Sequence, residues 1–129
     1  MITLKTRRLL LAPWREEDAE ALYALASDPE IGPMCGWEPH GSVEESREVI
    51  RDVFSAPEVC AILSRESGAL LGAVGLQPSS EIFPELSATE QREMGYWLGR
   101  PYWGHGVMTE AATELLRFGF EMLGLEAVW

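Results

Sequence analysis

Apolar residues recur along the chain with two spacings, one typical of helices and the other of strands. The helical spacing of three and four residues predicts helices over residues 15–27 and 106–123. Ser42 and Glu45 form a capping box, which predicts a further helix from there to about residue 54. Gly124 stands where a left-handed residue commonly ends a helix.

Runs of apolar and β-branched residues predict four strands. They lie at residues 3–11, 59–63, 70–76 and 93–98. The second and third are joined by Glu66-Ser67-Gly68, a turn signal typical of an antiparallel hairpin. Polar residues and prolines over 77–90 predict a loop. Residues 126–129 begin an extended segment, which is either a strand cut short or a frayed tail.

The length and composition are those of one globular domain over residues 1–129. Of the 129 residues, 47% are hydrophobic and 24% charged, which is too apolar for a disordered chain. The apolar stretches are too short for a signal peptide or a membrane span. We therefore expect a cytoplasmic protein.

The chain is strongly acidic. Ten Lys and Arg against 21 Asp and Glu give a formal net charge of −11. Such a polyanion repels phosphate backbones and anionic lipid, which argues against nucleic-acid and membrane partners. A cationic partner such as an amine suits this charge better, although net charge also serves solubility.

Two cysteines, Cys35 and Cys60, are too few for a disulfide framework and lack the paired spacing of a zinc site. We therefore expect both to be reduced thiols, and no metal site. Neither has a histidine nearby in sequence, so neither is predicted to be a nucleophile.

Residues 99–110 form the most unusual segment, a glycine-rich turn between a predicted strand and a predicted helix. The start of a helix exposes amides that bind anions, and glycines let a phosphate approach them. A P-loop is excluded because His105-Gly106 stands where Lys-Ser/Thr is required. A dinucleotide fingerprint fails because Thr109 occupies its third glycine position. From spacing alone, phosphate binding and a plain tight turn both stay open.

This segment also carries a resemblance to a known family. It reads Tyr102-Trp103-Gly104-His105-Gly106-Val107-Met108-Thr109-Glu110-Ala111 and follows Gly95-Tyr96-Trp97-Leu98. The run resembles the acetyl-CoA loop of GNAT N-acetyltransferases, and more narrowly the branch with the ribosomal-protein N-terminal acetyltransferases. Residues 6–14, 28–30 and 67–76 resemble that branch in the same order.

The resemblance implies an α/β fold of GNAT type, a mixed and mostly antiparallel sheet with helices on both faces. It implies acetyl-CoA as co-substrate, with its pyrophosphate on the amides of a Q/R-x-x-G-x-G/A loop. That pattern falls on Trp103, Gly106 and Met108, of which only Gly106 matches. The implied donor-binding set is Trp97, Leu98, Gly99, Trp103, Gly104, His105, Gly106, Val107 and Met108.

Acetyl transfer to an amine needs a group that takes the amine proton. By its placement on the strand, Glu93 resembles the general base of several GNAT enzymes, and Tyr96 is the next candidate. Strand alternation puts these two side chains on opposite faces unless a bulge intervenes. GNAT folds carry a bulge on this strand, so the resemblance predicts one here.

Acceptor selection is expected from residues 33–40 and 77–90. Trp37, Glu38 and His40 are the candidate pocket residues, and Glu38 would attract a cation. All three are equally typical of an ordinary surface loop. The acceptor amine stays open among protein N-termini, lysine, polyamines and aminoglycosides.

In this branch the chain normally continues past Trp129 with a strand, a helix that contacts CoA and a final strand. The resemblance therefore implies a fold that is incomplete at its C-terminal end, as in a truncated gene. Alternatively, a partner chain completes the sheet, as in a homodimer formed by strand exchange. The alternatives to an enzyme are a non-catalytic acyl-CoA-binding or interaction protein and a small regulatory dimer without ligand.

Overall fold

The computed structural model describes residues 3–29, 40–54, 58–78, 91–125 and 127–128. Six strands form one sheet: β1 (Leu4–Lys5), β2 (Leu9–Pro13), β3 (Val59–Ser64), β4 (Leu70–Pro78), β5 (Gln91–Leu98) and β6 (Ala127–Val128). Three α-helices accompany it: α1 (Ala19–Ala26), α2 (Val43–Asp52) and α3 (Val107–Glu121). Short 3-10 turns at Glu16–Asp18 and Arg100–Tyr102 precede α1 and α3.

The strands lie in chain order across the sheet. Neighbours from β1 to β5 pair antiparallel, and β6 pairs parallel to β5 at Gln91 and Arg92. The predicted hairpin of β3 and β4 is confirmed, as is an extended segment near the end of the sequence. Within the described part of the chain, β6 covers only the first two residues of β5, so the rest of that edge of β5 is left without a pairing strand.

The prediction of one strand over residues 3–11 was wrong, because the chain turns back at Thr6. The Thr6 amide donates to the Leu9 carbonyl at 2.9 Å, and the Leu9 amide donates to the Thr6 hydroxyl at 3.0 Å. These two bonds close a turn that pairs Leu4 with Leu11. The turn places Arg7 and Arg8 at one end of the sheet.

Helices cover both faces of the sheet, as the fold class predicts. On one face α3 packs through Val107, Ala111, Leu115 and Phe118. On the other, α1 and α2 pack through Ala19, Leu22, Ala26 and Ile50. Leu98 contacts the first of these cores and Trp97 belongs to the second, so adjacent residues of β5 face opposite sides. The two faces of the sheet therefore carry separate hydrophobic cores.

The bulge predicted on β5 lies instead on β4. Ile62 pairs with Gly72 and Leu63 with Leu70, which leaves Leu71 as the extra residue. The β4–β5 ladder runs from Gly72 to Pro78 without a shift, so the alternation of side chains along β5 is unbroken. A Cβ on Gly72 would lie 2.2 Å from the Trp97 carbonyl oxygen, and only glycine allows this approach.

The helix ends follow the sequence signals with one difference. The Ser42 hydroxyl accepts from the Glu45 amide at 3.1 Å, as the capping box predicts. The Glu45 carboxylate instead accepts from the amide of Gly41 at 2.7 Å. Gly124 has φ 67° and follows α3, as predicted. Among the described residues, no helix is long and apolar enough to cross a membrane.

Candidate functional site

Residues 99–106, here called the glycine loop, connect β5 to α3. Gly104 and Gly106 adopt φ values of 80° and 73°, which side chains with a Cβ rarely tolerate. The loop turns sharply and delivers the chain into α3, and Gly104, His105 and Gly106 are exposed. The first amides of α3 have no partner within the helix. This arrangement presents backbone N–H groups to an anion at the end of the sheet.

Side chains tie the first half of the glycine loop to its surroundings. Arg100 Nε donates to Asp28 Oδ2 at 2.7 Å, which joins the loop to the segment after α1. The Trp103 indole donates to the Leu98 carbonyl at 2.9 Å. A Cβ on Gly99 would lie 2.6 Å from Leu25 Cδ2, so a larger residue there would require the Leu25 side chain to move. The loop is thus anchored by contacts on both sides.

The second half is tied by Arg8, which lies in the turn between β1 and β2. Its Nη1 donates to the His105 carbonyl at 3.0 Å, and its Nε donates to Glu110 Oε1 at 2.7 Å. Glu110 also accepts from the Arg8 amide at 2.9 Å and from the Thr6 hydroxyl. Partial burial raises the pKa of Glu110, but hydrogen bonds from Thr6 and Arg8 outweigh it and lower the pKa to about 2. Glu110 is therefore a carboxylate at neutral pH.

A cleft of about 410 Å³ opens on the face covered by α1 and α2. Its described lining has eight apolar side chains, two glycines, a histidine and a tyrosine, and no charged group. The lining residues are Leu22, His40, Val49, Val53, Phe54, Val59, Ala73, Val74, Gly75, Gly95, Tyr96 and Trp97. We call this the apolar cleft; it lies against the middle of β5.

His40 is the titratable imidazole of the apolar cleft. The residue is 9% exposed, its amide donates to the Ala26 carbonyl at 3.0 Å, and its Nδ1 lies 2.7 Å from the Ser46 hydroxyl. Burial lowers the pKa of His40, although Glu45 opposes this. The ring is therefore mainly neutral at pH 7. The sequence predicted His40 as an acceptor-pocket residue; it lines the apolar cleft, and its role there stays a prediction.

The two predicted catalytic residues lie on opposite faces of β5, since that strand carries no bulge. Glu93 is exposed and shares a face with Gly95 and Trp97, both of which line the apolar cleft. Tyr96 is 59% exposed, shares a face with Leu98 and is itself one of the residues that line the apolar cleft. Glu93 is not among the lining residues and lies two residues along the strand from Gly95.

Some predictions lie outside the described residues. Trp37 and Glu38 are among these, as are Cys35 and nearly all of the loop at residues 77–90. Cys60 lies within the described part, where it is a free and fully buried thiol. Burial raises the pKa of Cys60 to about 12, so it is inert at neutral pH.

Sequence reasoning missed two parts of the site. Arg8 and Glu110 are 102 positions apart, and no local spacing links them. The apolar cleft draws on α1, α2, β3, β4 and β5, and each contributes ordinary core residues such as Val59 and Ala73. A pattern search cannot distinguish these side chains from the rest of the core.

The fold and loop define an α/β domain of the acyl-transferring class, and comparison with known proteins agrees. Residues 8–129 match the family model described as an acetyltransferase (GNAT) domain. The chain belongs to the GNAT family of acetyltransferases, as its sequence resemblance predicted.

Two relatives illustrate the similarity in sequence. The chain is 29% identical over 133 residues to an uncharacterized N-acetyltransferase p20 of Bacillus licheniformis, covering 99% of this chain and 71% of the relative. It is 30% identical over 132 residues to an FsC-acetyl coenzyme A-N(2)-transacetylase of Aspergillus fumigatus, covering 98% of this chain and 56% of the relative. The names of both relatives describe acetyl-transferring enzymes.

Solved structures show the same fold. A GNAT acetyltransferase from Bacillus anthracis superposes with a TM-score of 0.80 at 21% identity, covering 96% of this chain and 69% of that one. A Vibrio cholerae structure named as a candidate ribosomal-protein-serine acetyltransferase superposes with a TM-score of 0.74 at 25% identity, covering 96% and 70%. The second agrees with the branch that the sequence resembles.

Proposed function

We propose that the chain transfers the acetyl group of acetyl-CoA to a primary amine by direct attack in a ternary complex. The observation that carries this proposal is the glycine loop, which is anchored at the end of β5 and leads into the start of α3. The Aspergillus relative is named for acetyl coenzyme A, which supports the same donor here. The apolar cleft on the other face of β5 supplies a separate entrance for the acceptor.

The donor's pyrophosphate is assigned to the backbone amides of Gly104, His105, Gly106, Val107 and Met108. Trp103 replaces the Gln or Arg of the family pattern, and its indole is bonded to Leu98. The donors to phosphate are then N–H groups of the chain and not side chains. The exposed His105 ring has no required part in this assignment.

The pantetheine arm is assigned to the edge of β5 that faces away from β4, beyond the two residues that pair with β6. The Gly99 amide donates to the Leu71 carbonyl at 2.8 Å, so it points toward β4. Peptide groups alternate between the two edges of a strand, which directs the Leu98 amide to the opposite edge. Of Trp97, Leu98 and Gly99, Leu98 is therefore the residue to which we assign the bond that polarises the acetyl carbonyl.

In the reaction, the amine nitrogen attacks the thioester carbonyl carbon and a tetrahedral oxyanion forms. The carbon–sulfur bond then breaks, CoA leaves as a thiolate, and the amine proton passes to a base. We assign that base to Glu93, directly or through water, because it shares a face of β5 with Gly95 and Trp97, which line the apolar cleft. Tyr96 also lines the cleft and stays the second candidate.

We propose the acceptor only as a chemical class, the primary amines. The described lining of the apolar cleft carries no charge, and Glu38 keeps its predicted role as the group that attracts a cation. A homodimer formed by strand exchange and a cytoplasmic location complete the proposal.

A single substitution tests this function. Glu93→Gln keeps the size of the side chain and removes the base, so turnover should fall by about 100-fold, the lower range for general-base catalysis. Release of CoA thiol is measured with a panel of primary amines, and acetyl-CoA affinity by calorimetry.

The control is Glu17→Gln, at an exposed glutamate before α1, which should change neither quantity. Unchanged turnover in Glu93→Gln would remove Glu93 from the mechanism. Binding of acetyl-CoA without turnover by the unsubstituted chain on any amine would instead favour a non-catalytic acyl-CoA-binding protein.

A further inference from the structure

Arg8 contacts the glycine loop from a distant part of the sequence. It lies in the β1–β2 turn, 97 positions from His105, and its Nη1 donates to the His105 carbonyl at 3.0 Å. The Arg8 side chain therefore contacts the loop backbone next to the amides that we assign to the donor's phosphates. The family pattern that identified the loop does not include Arg8.

The direction of this hydrogen bond fixes the orientation of one peptide group. In a planar trans peptide, the carbonyl of one residue and the amide N–H of the next point in opposite directions. Because the His105 carbonyl points to Arg8, the Gly106 N–H points away from Arg8. Glycine at this position, with φ 73°, would otherwise leave that peptide free to rotate.

Glu110 holds the guanidinium in place for this contact. Its Oε1 accepts from Arg8 Nε at 2.7 Å, and its Oε2 accepts from the Arg8 amide at 2.9 Å and from the Thr6 hydroxyl. Because the guanidinium is planar and donates through both Nε and Nη1, these two bonds fix its orientation. A lysine ammonium cannot reproduce this geometry. Glu110 lies in the first turn of α3, so its bonds to Arg8 link the β1–β2 turn to the start of that helix.

We propose that Arg8 is a positioning residue, which holds the His105–Gly106 peptide so that the Gly106 amide faces the diphosphate of acetyl-CoA. This inference rests on the proposed function. Arg8 itself touches no part of the donor in this assignment, and its charge is paired with Glu110. Its effect is to order the loop before the donor arrives.

The test compares two donors that differ in the diphosphate. Acetyl-CoA carries it, and S-acetylpantetheine lacks it while presenting the same thioester. In Arg8→Lys, the KM for acetyl-CoA should rise about tenfold, since ordering about one residue of backbone costs roughly that factor in affinity. The kcat with acetyl-CoA and the KM for S-acetylpantetheine should stay unchanged. Arg8→Gln should repeat the pattern.

Arg65→Gln is the matched control. Arg65 Nη1 donates to the Thr6 carbonyl at 2.6 Å, so it supports the same β1–β2 turn and does not reach the glycine loop. It should lose as much thermal stability as Arg8→Lys and keep the wild-type KM for both donors. This control separates support of the turn from orientation of the loop.

The outcomes distinguish this inference from the proposed function. An equal rise of KM for both donors, or no rise for either, would overturn the positioning role while leaving acetyl transfer intact. A wild-type chain that binds no acetyl-CoA by calorimetry would overturn the proposed function and the role of Arg8 with it. If Arg8→Lys unfolds, Glu110→Gln supplies the second variant, with the same donor-dependent rise expected.

Discussion

The glycine loop and the apolar cleft lie on the two sides of β5 and are built in opposite ways. The loop is contiguous in sequence, and polar contacts from Asp28, Arg8 and Leu98 hold it. The cleft is assembled from five elements and is lined mainly by apolar side chains. One region is specified by backbone geometry, the other by which side chains the fold brings together.

This difference has a consequence for how the two sides respond to substitution. A backbone site depends on the few positions where the chain must adopt a rare conformation. A side-chain cleft depends on the volume and chemistry of its lining. Changes on one side should therefore leave binding on the other nearly unchanged, as Leu98 and Trp97 face opposite cores.

The substitution expected to affect the glycine loop most, while leaving the apolar cleft unchanged, is Gly106→Val. A β-branched residue at φ 73° is strained, so Gly106→Val should shift the loop and weaken acetyl-CoA binding by more than tenfold. Gly124 has φ 67° and open space around it, which makes Gly124→Val the matched control. Both variants should lose similar thermal stability, and calorimetry should find weakened acetyl-CoA binding only in Gly106→Val. Equal affinities in the two variants would contradict a backbone anion site.

A substitution at Gly95 should have a smaller effect, and it should affect acceptor binding instead of donor binding. A Cβ there meets nothing within 4 Å, and the residue lines the apolar cleft. Gly95→Val should therefore fold normally and occupy part of the cleft, raising the acceptor KM by about tenfold, the effect of losing about one side-chain contact. The acceptor KM of Gly95→Ala should lie between those of the wild-type chain and Gly95→Val. A rise in the dissociation constant of acetyl-CoA would show that the cleft serves the donor.

The smallest effect concerns His40, the histidine that lines the apolar cleft. The pKa of His40 is lowered in the folded state, so the unfolded chain binds more protons once the pH falls below about 6.5. His40 therefore destabilises the fold progressively from there down to its own lowered pKa, and has no effect at higher pH.

Urea midpoints at pH 7.5 and pH 5.5 measure this effect. The wild-type chain should lose more stability between them than His40→Gln does. An identical loss in the two proteins would show that burial of His40 does not lower its pKa.

Elements with a local signal could be predicted from the sequence. The α3 helix, its terminal Gly124, the Ser42 cap and the β3–β4 hairpin each depend on neighbouring residues. The turn at Thr6 was missed because it lies inside an apolar run, and its closing bonds come from one hydroxyl and one carbonyl. The bulge was placed on the wrong strand because registers depend on pairing partners that periodicity does not show.

The candidate site also has parts with a local sequence signal and parts that depend on tertiary contacts. The glycine loop could be located from the sequence because its two positive φ angles require glycine, at Gly104 and Gly106. The donor-binding role of Trp97 to Met108 stays a prediction. The Arg8–Glu110 pair and the apolar cleft could not be located, because both depend on tertiary contacts between ordinary residue types. Strand alternation already indicated that Glu93 and Tyr96 lie on opposite faces, and the observed β4–β5 ladder excludes the bulge that could have brought them together.

Calorimetric titration of acetyl-CoA into the 129-residue chain tests the central claim most directly, with Gly106→Val titrated in parallel. We predict saturable micromolar binding by the unsubstituted chain and weakened binding by the variant. A chain that is folded by circular dichroism and gives no binding heat, or equal binding by both proteins, would contradict the assignment of the glycine loop as the donor site.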